Sequence, residues 1–232
     1  MACATARGAC RACSSGSGSR ARRRDLVTPR AARPSGPRSK DGLGSKLAEV
    51  AKAHPNERVQ LWCEDEARVG QKGRTCQRWY ARGVRPPGLV DKRFARLYRV
   101  AACRPGTDQA FALALPEATT TAMGLFLAAF AEQLEPGTHA VLILDQAGWH
   151  GARRPAVPTT VTLLPLPPYS PELNPVERVW LYVRERFLSH RVRPGYEAVL
   201  DAACDAWNTL VGKTGRLASL TAYPYLLRSE LR

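Results

Sequence analysis

Val141-Leu142-Ile143-Leu144-Asp145-Gln146-Ala147-Gly148 places four consecutive large apolar residues directly before a carboxylate. A short apolar run of this kind predicts a central strand covered on both faces. A side chain at the carboxyl end of such a strand faces the crevice where α/β folds bind their ligands. Gly148 then relaxes the backbone just beyond it. The competing reading is that Asp145 only caps the next turn.

Two other acids have comparable settings. Asp65 follows Leu61-Trp62-Cys63-Glu64 and precedes Glu66, so the same kind of apolar strand ends in an acidic cluster. Successive side chains of a strand alternate faces. Asp65 therefore shares a side with Leu61 and Cys63, while Trp62, Glu64 and Glu66 share the other, and alternation by itself leaves open which side serves a site. Glu177 lies in Asn174-Pro175-Val176-Glu177, where Asn at N-cap, Pro at N1 and Glu at N3 mark a helix start. A capping-box role accounts for that glutamate as well as a ligand role does. Three carboxylates gathered in one place repel by roughly 1–4 kcal/mol per pair at about 4 Å, which makes sense around a divalent cation.

The chain of 232 residues carries a formal net charge of +15, with 24% charged and 44% apolar residues. That length supports one substantial domain plus a tail. The charge favours a polyanionic partner, nucleic acid above all; an Arg-rich composition unconnected with binding is the alternative. No apolar run is long enough to span a bilayer, and the start lacks the apolar stretch of a signal peptide, so a cytoplasmic protein without a membrane partner is expected. Seven cysteines at irregular spacing argue against a disulfide framework. Cys10 and Cys13 make a lone CxxC pair, whereas Cys63 and Cys204 read as small core residues.

Residues 1–45 hold ten basic and two acidic residues, net +8, and almost no large apolar side chains. Such a segment is expected to be disordered, either as a DNA-binding arm or as a misassigned start. A domain over 46–215 follows, then a C-terminal extension over 216–232. Its elements are expected as a helix at 46–54, strands at 59–65 and 77–82, and a hairpin of 98–103 with 110–116 around Pro105-Gly106. A helix at 119–134, strands at 140–144 and 161–166, and helices at 175–189 and 196–210 complete it. This order predicts an α/β fold, a mixed sheet flanked by helices. Arg68, Lys72, Arg74, Arg78, Arg82 and Arg85, interleaved with Trp79 and Tyr80, form a basic strip suited to phosphate contacts, or an ordinary solvated hairpin. His150 suits a phosphate-orienting role and a packed structural one equally.

Residues 59–210 resemble the DDE transposases of bacterial insertion sequences, in the insertion-sequence six-thirty branch of the mariner superfamily. The resemblance rests on Glu64-Asp65-Glu66-Ala67-Arg68, on Leu144-Asp145-Gln146-Ala147-Gly148-Trp149-His150, and on Pro167-Pro168-Tyr169-Ser170-Pro171-Glu172-Leu173-Asn174-Pro175-Val176-Glu177, in the family's order. The last motif is the specific one. The resemblance implies an RNase H-like fold in which Asp65, Asp145 and Glu177 are the catalytic acids and bind two magnesium ions, with manganese substituting. It implies that Asp65 is the inward acid of its cluster. The interval from Asp145 to Glu177, 32 positions, is slightly short for the family, with the trimming expected in 151–160. Implied partners are double-stranded DNA, as transposon ends and target, and a second copy of the chain on that DNA, in the bacterial cytoplasm at the nucleoid. A DNA-binding remnant without cleavage, and an RNase H-fold nuclease without strand transfer, are the rival functions.

Transposases of this family carry helix-turn-helix modules ahead of the core, and residues 1–45 lack the apolar periodicity such a module needs. DNA binding by this chain is therefore expected to be salt-sensitive and largely independent of sequence. Competition between terminal-repeat and scrambled DNA at near-physiological salt checks this. A preference above about a thousandfold, the range of specific binders, would overturn it.

Overall fold

The computed structural model describes residues 38–71, 82, 93–145, 155–189 and 191–230. Five strands form one sheet in the order β3-β2-β1-β4-β5. They are β1 (Arg58–Gly70), β2 (Arg96–Cys103), β3 (Ala110–Leu115), β4 (Thr138–Leu144) and β5 (Val161–Pro165). β1, β2 and β3 run antiparallel in sequence, whereas β4 is parallel to both β1 and β5. All seven residues of β4 are buried, as its uninterrupted apolar run predicts for a strand covered on both faces.

Helices cover both sides, as expected. Among the described residues, the crossover helix α2 (Thr120–Ala131) is the helix that covers one face. Thr119 caps it by accepting from the Ala122 N–H at 3.1 Å. Its Met123, Phe126, Leu127 and Phe130 pack on Trp62, Val100, Phe111 and Leu142. The opposite face carries α1 (Arg38–Ala53), α3 (Val176–Val183), α4 (Tyr196–Val211), α5 (Arg216–Thr221) and α6 (Pro224–Glu230). Trp180, Trp207, Leu210 and Leu217 fill the space above Leu61, Cys63, Ala101, Val141 and Ile143. Cys63 and Cys103, opposite one another in the β1–β2 register, are free buried thiols. Cys204, also buried, is disulfide-bonded, against its reading as a plain core residue.

Several elements depart from the sequence expectation. β1 does not stop at Asp65 but runs on to Gly70, because from Cys63 onward it is paired with β2. Its pairing with β4 covers only Arg58 to Cys63. The strand thus changes partner midway, and it parts from β4 just where the acids begin. Helix α1 starts at Arg38 rather than at 46, so part of the segment expected to be disordered is helical. Leu43 and Leu47, one turn apart and both buried, hold it down. The strand expected at 77–82 lies outside the described residues except for Arg82, which is exposed in a turn. The helix expected at 175–189 is α3 followed by one wide π-helical turn, Arg184–Leu188.

The segment after 215 packs on the same core. Leu217, Thr221 and Leu226 are fully buried, and the Arg178 guanidinium of α3 stacks over Tyr223 at 5.6 Å. The β2–β3 turn docks here as well. Asp108 accepts from the Gly215 and Ala218 N–H groups, and Gly106 N–H donates to Thr221 Oγ1 at 3.1 Å. Gly106 has φ +70°, a backbone region that favours glycine, and a Cβ there would also displace the tip of the Leu227 side chain. Leu217→Ala should lower stability by about 2–5 kcal/mol, the range for emptying a fully buried leucine site. Urea unfolding checks this. A loss under about 0.5 kcal/mol, typical of a surface change, would show that α5 is an appendage.

Candidate functional site

Strand alternation decides the open question in β1. Leu61, Cys63 and Val69 belong to the core beneath α3 and α4, whereas Trp62 belongs to the core beneath α2. Asp65 is therefore on the α3 side and Glu64 on the other. Both are buried, at 8% and 2% exposure. The parallel β1–β4 register ends at Cys63↔Ile143. Two positions further along both chains are Asp65 and Asp145, so the two acids emerge side by side where the strands part. Asp145 is exposed immediately after β4.

The third acid arrives through a helix start tied to the sheet. The buried Asn174 side chain donates from Nδ2 to the Glu64 carbonyl at 2.7 Å. Its Oδ1 accepts from the Val176 N–H at 3.2 Å. One amide thus caps α3 and fastens its first turn to β1 next to Asp65. A 3₁₀ turn, Pro171–Leu173, leads into it, and the Tyr225 hydroxyl of α6 donates to the Leu173 carbonyl. Glu177 is exposed in the first turn of α3. The capping-box reading of Glu177 requires it to accept from the Asn174 N–H, but that N–H is already donated to Pro171 O at 2.9 Å. Capping does not account for this glutamate.

Electrostatics bind the three acids into one group. Burial, then the charges of Glu177 and Asp145, push the Asp65 carboxyl from its ordinary 3.8 up to about 8. A backbone hydrogen bond from Glu66 opposes the rise. The Trp180 indole N–H, directed at Asp65 but short of full hydrogen-bond geometry, opposes it too. Glu64 is also pushed well up, first by burial and then by Asp65, Glu66 and Asp145. Glu177 acts on Asp65 but is not among the charges that act on Glu64, which makes Asp65 the common member. The set is all carboxylate oxygen, the donor chemistry of Mg²⁺ and Mn²⁺.

A groove of about 370 Å³ runs along β1 beyond Asp65, lined by Ala67, Arg68, Arg99, Trp180, Arg184 and Arg193 among others and by none of the three acids. Arg99 is fully buried, with its guanidinium 6.0 and 5.7 Å from the Trp180 and Trp207 ring centres. Arg193 donates to the Leu188 carbonyl at 3.2 Å, and its own carbonyl accepts from Gln71 at the end of β1. Of the basic strip read from sequence, Arg68 is exposed on β1 and lines this groove, and Arg82 is exposed. Lys72, Arg74, Arg78 and Arg85 lie outside the described residues, as does His150. Sequence reading missed Arg99, Arg184 and Arg193. Only Arg184 carried a signal, standing seven positions after Glu177, two turns along one helix face. Tyr169, in the turn before α3, is 96% exposed and has φ +58°, a backbone region few non-glycine residues adopt.

The family model described as DDE superfamily endonuclease matches residues 60–198. A protein of Sinorhizobium fredii (strain NBRC 101917 / NGR234), the uncharacterized protein y4pE/y4sA, is 42% identical over 132 residues, covering 57% of this chain and 98% of that one. Among solved structures, the Mos1 transposase paired-end complex with left transposon end superposes with a TM-score of 0.54 at 15% identity. That match covers 90% of this chain and 65% of that one. The mariner Mos1 paired end complex with Mg gives 0.53 at 14% identity, over 90% and 64%. This chain thus spans slightly less than two thirds of those transposase chains. At these identities the likeness is one of fold, and that fold is RNase H-like.

A carboxyl whose pKa is raised on folding is stabilised in its protonated form. Asp65 therefore supports the cation-free fold at low pH, and that support is lost as pH rises from its ordinary 3.8 through about 8. Thermal melts in EDTA should show wild type losing stability between about pH 5 and pH 8 more steeply than Asp65→Asn. Added Mg²⁺ at the upper end should raise the wild-type midpoint and leave the variant's unchanged. Parallel pH slopes would show that Asp65 is not held in this electrostatic setting.

Proposed function

The chain belongs to the DDE superfamily of endonucleases, and from that premise we propose that it is the catalytic domain of a DNA transposase. It nicks the ends of a mobile element and joins them to target DNA. What supports this reading is the electrostatic effect of Asp145 and Glu177 on Asp65, three acids from three separate elements, at the point where β1 parts from β4.

In this reading Asp65, Asp145 and Glu177 hold the divalent cations, Mg²⁺ with Mn²⁺ as a substitute. The raised proton affinity of Asp65 is relieved when a cation takes the proton's place. When bound, such ions supply Lewis-acid activation of the attacking oxygen and stabilise the leaving one. The exposed Arg68 and Arg184 position the DNA backbone through its phosphates, which fixes register without reading sequence, and the buried Arg99 and Arg193 add positive charge beneath them. The basic residues Lys72, Arg74, Arg78 and Arg82 extend that contact. Trp180 shields Asp65 from water on the core side and orients its carboxylate. In the first step water attacks the phosphorus at the element's end and the 3′-oxygen departs, leaving a 3′-hydroxyl and a 5′-phosphate. In the second, that 3′-hydroxyl attacks a target phosphodiester, and the target's own 3′-oxygen leaves. Both are in-line exchanges at phosphorus and need one set of acids. The DNA duplex is the substrate, and pairing of two ends calls for a second copy of the chain.

Asp145→Asn and Glu177→Gln keep side-chain volume while removing the ligand charge. Each should reduce Mg²⁺-dependent nicking of end-bearing DNA by at least about a hundredfold, several kcal/mol of lost transition-state stabilisation, with DNA binding retained. Wild-type nicking by Glu177→Gln would remove that residue from the set of cation ligands. Strand-transfer products on a labelled end separate a transposase from a nuclease of the same fold, which would release nicked ends only.

A further inference from the structure

A second cluster of ligand-type side chains lies at the other end of the sheet. Helix α1 ends at Ala53, and the chain passes through His54, Pro55, Asn56 and Glu57 into β1. His139 is the second residue of β4 and stands opposite Val59 in the parallel register, which brings it against Glu57. Asp145 lies six residue steps along the chain from His139, roughly 20 Å at about 3.3 Å per residue, so this cluster is distinct from the acidic site.

The three side chains converge. His54 Nδ1 is 3.4 Å from Glu57 Oε1, and His139 Nδ1 is 3.3 Å from Glu57 Oε2. One ligand atom from each residue lies within 4.8 Å of the other two. The His139 side chain is 1% exposed. Its Nδ1 and Glu57 Oε2 are both closed off from solvent, and neither makes a hydrogen bond. The two atoms meet as an ion pair without full hydrogen-bond alignment, which leaves the imidazole nitrogen and the carboxylate oxygen able to turn to a shared cation. His139 Nε2 is 2.8 Å from Thr162 Oγ1. A hydroxyl that accepts the Nε2 proton leaves the Nδ1 lone pair facing Glu57 and His54, the outer-shell support that metal-bound histidines use. His54 stacks on His139 with ring centres 3.6 Å apart, so it must turn out of that stack to address a shared ion. At 28% exposure on a loop, it has the freedom to do so, while His139 is held by Thr162.

Two imidazoles and a carboxylate form a mixed nitrogen and oxygen set, suited to zinc rather than to magnesium. We propose that His54, Glu57 and His139 form a zinc site with a fourth position open to water. The ion fastens the C-terminal end of α1 to the starts of β1 and β4. Helix α1 is otherwise anchored mainly by Leu43 and Leu47, so a metal tie at its end adds a constraint that its own sparse apolar face does not supply.

The test uses the full chain with its accessible free thiols alkylated under non-reducing conditions, so that they do not compete and the Cys204 disulfide stays intact. Zinc is titrated calorimetrically in excess Mg²⁺, which occupies the acidic site, and thermal melts are run in zinc and in EDTA. The parent should take up a single zinc ion per chain with micromolar or tighter affinity and melt at higher temperature in zinc. His54→Ala and Glu57→Gln should melt like the parent in EDTA, bind zinc at least about a hundredfold more weakly, and lose the thermal gain. Thr162→Val should weaken binding by about 10–100-fold, the effect of removing an outer-shell partner. Undiminished zinc uptake in both ligand variants, or no uptake by the parent, would overturn the proposal.

Discussion

The hydrogen bond from Asn174 Nδ2 to the Glu64 carbonyl, 2.7 Å long and buried, links two parts of the chain 110 positions apart. β1 can offer that carbonyl because it has already parted from β4 after Cys63. α3 can use it because the same asparagine caps its first turn through Oδ1. A helix tied to a strand at its first turn has its next residues set in direction as well as position. Glu177 therefore reaches the neighbourhood of Asp65 by construction, and Trp180, one turn further on, packs over the strand beside it. The Tyr225 hydroxyl on the Leu173 carbonyl steadies the turn from the other side, which gives α6 a part in holding the site.

Around that link the fold accepts an electrostatic penalty. Two buried carboxyls, Glu64 and Asp65, are pushed toward their neutral forms, and Asp145 adds to the repulsion on both. A protein built only for stability would replace them with apolar residues of similar size. The groove beside Trp180 carries the opposite sign, with Arg68, Arg184 and Arg193 along its wall and Arg99 beneath. Acids that favour a cation and arginines that favour phosphate stand next to each other, an arrangement suited to a polyanion cut with the help of metal ions.

The two ends of the β1–β4 pair differ in ligand chemistry. The carboxyl end gathers oxygen donors where the strands separate. The amino end gathers two imidazoles and a carboxylate where the strands are still paired and α1 closes over them. Hard oxygen sets and mixed nitrogen sets favour different cations, so the two ends of this strand pair differ in the ion each is suited to.

Much of this was legible in the linear chain. The apolar run before Asp145 announced a strand buried on both faces, Pro105-Gly106 marked a turn, and the helix at 119–134 was placed close to where α2 lies. Those features are local, set by hydrophobic pattern and by backbone preferences that neighbouring residues determine. The inward acid of Glu64-Asp65-Glu66 was not legible from alternation, because parity says only that two sides exist and not which one α3 will cover. Nor was the length of β1, since its second half is a strand by virtue of β2, a partner some 30 positions away. Arg99, Arg193 and the meeting of His54 with His139 were equally hidden. Their proximity comes from the parallel register of β1 and β4 and from the packing of α3 and α4, interactions between distant segments. The sequence by itself determined the elements and the kinds of acid at their ends; the tertiary structure alone decided which side chains face one another, because pairing and packing join residues that no local pattern connects.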